Sequence, residues 1–370
     1  MRIFKRIEEW LEIENPQTYD FVESTQKEKA EDYGCIENSY EKFLVYRYDS
    51  KINWGIIEKR NGIFRDIDEY ITRDPDTSSY LLQDIYKELW PELAEQEFMK
   101  RSKKWICSDT MTSAARRFQD ALGIIINEEI EPKRVNLGVS EQIRKIHDNC
   151  KKVLNLKRQE WWSTNFSILV AAGLGEEFYK LIDENYSNMA AFLNKNHTIG
   201  NFCPVPKGFN SARAGGGNYD YWDITLMKIR EWYISIDSKS LYERDKLIYE
   251  DLLHNTGNSL ACLRWLECFG QGQMGWHNFV DTLFMQDYVW SEDNKISEYK
   301  VSKDDDMYYK VIPFWDGHSW EKPKLTDDLK DEKNNTVIVN KINERLKEIN
   351  RRVDARSDRI VDACNAKLMK

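Results

Sequence analysis

Residues 200–223 combine residue types that are more typical of a binding site than of a helix. Pro204 and Pro206 stiffen the backbone and remove two amide donors, and the glycines at 215–217 allow backbone angles that other residues rarely adopt. Polar and aromatic side chains lie among them. The candidate binding residues are Asn201, Phe202, Phe209, Asn210, Arg213, Asp220, Trp222 and Asp223. Polar groups set among rigid aromatic residues are typical of a pocket wall, so we predict that this stretch binds a ligand or a partner.

The same stretch has two other interpretations. A glycine run before a helix can bind phosphate, but neither GxxxxGK[ST] nor GxGxxG is present, and Asp220 and Asp223 would repel an anion. The other interpretation is a structural crossover, in which the aromatic side chains are buried and the stretch only connects helices. This second alternative stays open. The sequence identifies neither catalytic residues nor a cofactor.

Four further residues have the spacing of metal ligands. Glu250 and His254 are four residues apart, as are His277 and Asp281, so each pair would share one helix face. Carboxylate-bridged sites in helical bundles use a repeated Glu-x-x-His pattern, which this sequence lacks. We therefore predict no metal and keep these four residues as secondary candidates.

Nucleic-acid binding is favoured by two local runs and disfavoured by the overall charge. The runs KRSKKW at 100–105 and KKVLNLKRQEWW at 151–162 combine basic and aromatic residues, as single-strand platforms do. The net charge of the whole chain is −9, whereas binding to a phosphate backbone depends on an excess of Lys and Arg. Nucleic acid is therefore not the favoured partner. An enzyme acting on a nucleotide or nucleic acid is the alternative function.

Composition predicts a folded cytoplasmic protein. Hydrophobic residues make up 41% of the 370 positions, which places the chain outside the range of disordered proteins. No run approaches the roughly 20 apolar residues that a membrane span needs, so no membrane partner is expected. The seven cysteines include no CxxC pair, which favours reduced thiols over a disulfide framework.

Apolar residues recur at helical spacing through most of the chain, which predicts a mainly α fold with minor β-hairpins. Helices are predicted near 83–101, 109–126, 139–156, 174–194, 224–235, 241–254, 258–269 and 276–289. Asn61-Gly62 lies between apolar runs and favours one hairpin, with a helix over 63–71 as the alternative. Residues 297–315 favour a second hairpin.

A long amphipathic helix is predicted near the C-terminus. Its apolar positions step by three and four, and they are Val339, Ile342, Leu346, Ile349, Val353 and Ile360. This stripe would suit a coiled-coil seam between two chains, although Arg356 occupies a position that such a seam needs apolar. Packing against the same chain is the alternative, so a homodimer through this helix is one of two predictions.

These patterns divide the chain into three predicted regions. Residues 1–130 form a mostly helical region with a β-hairpin, and residues 131–333 form an irregular helical domain that carries the 200–223 stretch. Residues 334–370 form the amphipathic helix.

The stretch GNFCPVPKGFNSARAGGGNYDYWD resembles the signature of an uncharacterised family of bacterial proteins. The shared pattern is GNF-x-P-x-P, then FN, an Arg, and a DYWD-like start of a helix. The matching positions are Gly200, Asn201, Phe202, Pro204, Pro206, Phe209, Asn210 and Arg213. The resemblance implies a bacterial or phage setting, with a role in host–phage conflict as the expectation, and it implies no particular reaction.

Overall fold

Helices account for 74% of the interpretable residues and strands for 7% in the computed structural model, which confirms the predicted mainly α fold. The structure describes residues 2–19, 21, 79–102, 105–111, 118, 121, 124–125, 182–195, 198–210, 222–253, 259–290, 309–313 and 332–369. Within these residues, no helix is both long and apolar enough to cross a bilayer.

Nine α-helices are described in these ranges, together with four short strands. The helices are α1 (Arg2–Leu11), α2 (Tyr80–Leu89), α3 (Pro91–Glu95), α4 (Ser187–Lys195), α5 (Trp222–Ile234), α6 (Leu241–Lys246), α7 (Ser259–Glu267), α8 (Gly272–Thr282) and α9 (Asn335–Leu368). The strands are β1 (Lys100–Ser102), β2 (Trp105–Ile106), β3 (Ser108–Thr110) and β4 (Phe202–Pro204). A π-helix, Leu247–Leu252, continues directly from α6.

The apolar stripe of α9 packs inside its own chain. All six predicted positions, from Val339 to Ile360, are buried. The helix lies against α1, α2, α4 and the 3₁₀-helices Ile199–Asn201 and Gln286–Tyr288. Intramolecular packing therefore accounts for the stripe, and a homodimer through α9 stays a prediction that this stripe does not require.

Arg356 is the polar exception in that buried stripe. Its side chain is 0% exposed, and Nη1 donates to the backbone oxygens of Gly200 at 2.8 Å and Phe202 at 2.7 Å. Its Nε donates to the backbone oxygen of Leu283 at 3.1 Å. A coiled coil would place an apolar side chain at this position. Here the position holds a guanidinium that joins α9 to residues 200–202 and to Leu283.

The strands form two small antiparallel sheets, β1–β2 and β3–β4. In the second sheet Asp109 lies opposite Cys203 and Thr110 lies opposite Phe202. The predicted helix over 109–126 is therefore wrong at its start, because residues 108–110 pair with a strand almost a hundred residues later. Farther along, Phe118, Ala121 and Ile125 are helical and buried, as the helical spacing predicts.

Several other predictions can be compared with the described residues. The predicted helix at 224–235 corresponds to α5. The one predicted at 276–289 begins four residues earlier, as α8 at Gly272, and ends at Thr282, before the 3₁₀-helix Gln286–Tyr288. The hairpin around Asn61-Gly62 and the helix over 139–156 lie outside the described residues. Of 297–315 only 309–313 are described, and there Val311 forms an antiparallel bridge with Val289.

One cluster of buried apolar side chains extends from Ile7 to Cys364 and draws members from all three predicted regions. The division of the chain at residues 130 and 333 stays a prediction.

The described cysteines are Cys107, Cys203, Cys262, Cys268 and Cys364, and all five are free thiols. Burial raises the pKa of Cys364 to about 12, so this thiol stays protonated in the folded protein.

Arg356→Ala should lower the free energy of unfolding by about 3 kcal/mol or more, because it leaves three buried carbonyls without their donor. The matched control is Arg359→Ala on the same helix. Arg359 is 41% exposed, and its partner Asp287 also pairs with Arg351 at 3.6 Å, so the loss of Arg359 leaves that carboxylate a cation and should cost about 1 kcal/mol. Urea unfolding compares the two variants, and equal losses would contradict a central role for Arg356.

Candidate functional site

The first part of the candidate stretch fits closely against α9. The amide of Gly200 donates to Ser357 Oγ at 2.8 Å, and its carbonyl accepts from Arg356. A Cβ on Gly200 would lie 2.0 Å from the backbone oxygen of Val353 and 2.4 Å from Ser357 Oγ. Only glycine leaves room for this approach, because the two backbones are nearly in contact.

Asn201 and Phe202 continue this contact into the core. Both side chains are 0% exposed, and the Asn201 carbonyl accepts from the amide of Met111 at 2.7 Å. The Phe202 ring meets Phe21 edge to face, with ring centroids 5.9 Å apart. These two predicted binding residues are therefore positioned inside the protein, where they join the N-terminal part of the chain to β4.

Pro204 is the last residue of β4, and Pro206 lies two residues beyond it. The amides of Val205 and Lys207 donate to the backbone oxygens of Cys107 at 3.0 Å and Phe98 at 2.8 Å. Pro204 and Pro206 directly precede these two donors, so the residues that donate alternate with residues that have no amide hydrogen. The absence of an amide hydrogen at the two prolines is thus compatible with the hydrogen bonds that this part of the backbone makes.

Residues 209 and 222 bring the two ends of the glycine-rich part together. The rings of Phe209 and Trp222 are both buried, with centroids 5.9 Å apart, and Phe209 also meets Trp265 at 5.5 Å. The Trp222 indole donates to the carbonyl of Thr110 at 2.9 Å. Gly208 has a φ of 78°, a left-handed angle that glycine adopts without strain just before this junction.

Asp223 adds a buried carboxylate that interacts with the buried Arg352. It is 0% exposed, and its Oδ1 accepts from the amide of Ile224 at 2.9 Å. Burial lowers the pKa of Arg352, and the charges of Glu348 and Asp223 oppose that shift. Burial likewise raises the pKa of Tyr288 to about 12, although Arg356 and Arg352 act in the opposite direction. The negative charges of Asp223 and Glu348 thus partly offset the cost of burying the Arg352 guanidinium.

The structure therefore separates the predicted binding residues into groups. Five are buried, namely Asn201, Phe202, Phe209, Trp222 and Asp223. Asn210 is exposed, and Arg213 and Asp220 lie outside the described residues. The partners that sequence reasoning missed are Arg356 and Ser357, for which the only signal was an arginine at an apolar heptad position.

The secondary metal candidates form no metal site in the described part of the chain. Glu250 pairs with Lys246 at 3.4 Å, and His254 lies outside the described residues. The Asp281 carboxylate accepts from the Tyr309 hydroxyl at 2.7 Å, and the His277 ring packs on that tyrosine with centroids 4.3 Å apart. Across the residues that can be described, no group of three His, Cys, Asp or Glu side chains could hold an ion.

Comparison of the chain with protein-family models, with curated proteins and with solved structures found no match. The resemblance of residues 200–223 to the bacterial signature therefore stays a prediction.

Gly200→Ala should destabilise the protein by about 3 kcal/mol or more, because the new methyl group would separate α9 from residues 198–204. Gly272→Ala is the matched control. Gly272 has a φ of 61°, but its Cβ would meet nothing closer than 3.6 Å, so this substitution should cost about 1 kcal/mol from backbone strain alone. The melting temperatures of the two variants are compared by thermal unfolding. Equal values would contradict the close contact between Gly200 and α9.

Proposed function

We propose that this protein binds a partner through residues 210–221, a segment whose two ends are held together by buried aromatic side chains. The observation that carries the proposal is the contact between the rings of Phe209 and Trp222, 5.9 Å apart. These two residues flank the segment directly, so both of its ends are anchored in the core at one place.

The closed ends favour recognition in two ways. Compact segments of roughly 6–16 residues with adjoining ends are frequently functional, and the range 210–221 falls within that length. Fixing both ends also reduces the conformational entropy that such a segment loses when it binds. The burial of Phe209, Trp222 and Asp223 therefore supports a positioning role for these three residues, with direct contacts left to the residues between them.

The composition of the segment favours a protein or peptide partner. Its sequence is NSARAGGGNYDY, in which Gly, Asn, Tyr and Ser fill most positions. The recognition loops of antibodies have the same bias, because tyrosine provides contact area with few rotatable bonds while Ser, Gly and Asn adapt their hydrogen bonds. Arg213 and Asp220 supply one charge of each sign, which suits a polar partner surface.

The alternative function, an enzyme acting on a nucleotide or nucleic acid, stays a prediction. The cytoplasmic location and the setting in host–phage conflict stay predictions as well. Each can be tested once a partner is known.

Asn210→Ala and Arg213→Ala should weaken partner binding about tenfold or more and leave the melting temperature within a few degrees of wild type. The partner is first identified by a photo-crosslinking residue at position 219, then purified, and its dissociation constant is measured by calorimetry. Arg264→Ala is the control, because Arg264 is an exposed arginine on α7. If both variants melt at a far lower temperature and their folded fraction binds the partner as wild type does, the segment 210–221 is a structural crossover and not a binding site.

A further inference from the structure

A cleft of about 580 Å³ opens between α1, α2, α3 and the β1–β2 hairpin. Its apolar lining comes from Tyr80, Pro91, Ala94, Trp105 and Ile106. Binding sites usually measure roughly 300–1,000 Å³ and combine aromatic surface with a few polar groups. None of the described lining residues belongs to the segment 210–221 or to its flanks, so the cleft is a second candidate surface.

The charged side chains of the cleft are already paired with one another. Asp84 is buried, accepts from Arg6 Nε at 2.6 Å and lies 3.8 Å from Lys87 Nζ. Lys100 Nζ donates to a carboxylate oxygen of Glu97 at 3.0 Å. In and beside the cleft, the described cations and carboxylates are equal in number, namely Arg6, Lys87, Lys100, Asp84, Glu95 and Glu97. A charged ligand would compete with these pairs, so the cleft suits an uncharged one.

Two hydrogen-bond donors of the cleft lack an acceptor within the protein. Across the part of the chain that the structure describes, neither the Tyr80 hydroxyl nor the Trp105 indole N–H has a hydrogen-bond partner. By contrast, the indoles of Trp10 and Trp90 donate to backbone carbonyls. The cleft therefore offers donors to a ligand that brings acceptors.

These two donors belong to an aromatic wall that is open and rigid. The rings of Tyr80 and Trp105 lie 5.2 Å apart at an angle of 45°. Arg6 lies over the Tyr80 ring at 5.6 Å, yet 64% of this tyrosine stays exposed. The buried amide of Gln83 donates to the carbonyl of Ile106 at 3.1 Å and accepts from its amide at 2.7 Å, which joins α2 to β2. The wall is therefore preorganised.

We propose that this cleft binds a proline-rich segment of a partner protein in the polyproline II conformation, with proline rings packed on Tyr80 and Trp105. A run of prolines has carbonyl acceptors, no amide donors and no charge, which matches the free donors and the paired charges of the cleft. Polyproline II has no internal hydrogen bonds, so its carbonyls can accept from the hydroxyl and the indole. Such segments are ordered before they bind, and grooves lined by aromatic side chains recognise them.

A fluorescein-labelled decaproline peptide tests the proposal on the full chain by fluorescence anisotropy. It should bind with a dissociation constant of about 10–500 µM, as expected for a small interface. The control is a labelled decapeptide of alternating Gly and Ser, which has the carbonyls without the rings or the preformed conformation, and it should bind about tenfold more weakly or not at all. Equal binding of the two peptides, or no binding of decaproline, would overturn the proposal.

Substitutions of one tyrosine separate the ring from its donor. Tyr80→Ala removes both and should weaken decaproline binding about thirtyfold, whereas Tyr80→Phe removes one hydrogen bond and should weaken it about fivefold. The matched control is Tyr242→Ala, which should bind as wild type does. Tyr242 is 71% exposed and has Lys246 over its ring at 5.2 Å, as Tyr80 has Arg6.

Equal binding by Tyr80→Ala and Tyr242→Ala would place the peptide elsewhere and refute the cleft. Because Tyr80 is mostly exposed, its substitution should leave the circular dichroism spectrum unchanged. Raising the salt concentration from about 50 to about 500 mM should change the dissociation constant less than about twofold, and a steep loss of affinity would contradict an uncharged ligand. Arg213→Ala should not affect decaproline binding, so this site and the partner-binding segment can fail independently.

Discussion

The hydrogen bonds from Arg356 to the carbonyls of Gly200, Phe202 and Leu283 hold α9 against two other segments of the chain, on which the rest of the structure depends. A buried guanidinium needs several hydrogen-bond acceptors, and the acceptors of Arg356 are these three backbone oxygens. These oxygens belong to segments that have no local reason to meet. Their shared donor fixes the position of β4, and β4 fixes the start of the glycine-rich segment.

One continuous piece of backbone takes part in both small sheets. Residues 98–111 carry β2, which pairs with β1, and then β3, which pairs with β4. Cys107 and Phe98 accept from the amides of Val205 and Lys207. These hydrogen bonds position the residues that lead from β4 to Phe209, after which the 210–221 segment begins.

Sequence reasoning succeeded where the relevant interactions are local. The stripe from Val339 to Ile360 follows the period of a helix, so its burial could be predicted from spacing alone. It failed at Asp109, because helical spacing in 109–126 carries no information about a strand partner at residue 203. It also missed the meaning of Arg356, whose acceptors lie more than seventy residues away along the chain. The pairing of Tyr80 with Trp105 was equally hidden, since it arises from the packing of α2 on β2.

The position of α9 in the chain has a consequence for biosynthesis. This helix supplies the partners of α1, α4 and the 199–202 segment, yet it is translated after all of them. During translation the preceding segments therefore emerge from the ribosome with apolar surface that α9 covers in the folded protein. The packing of this core can therefore be completed only after residue 368 has been synthesised, rather than progressively from the N-terminus.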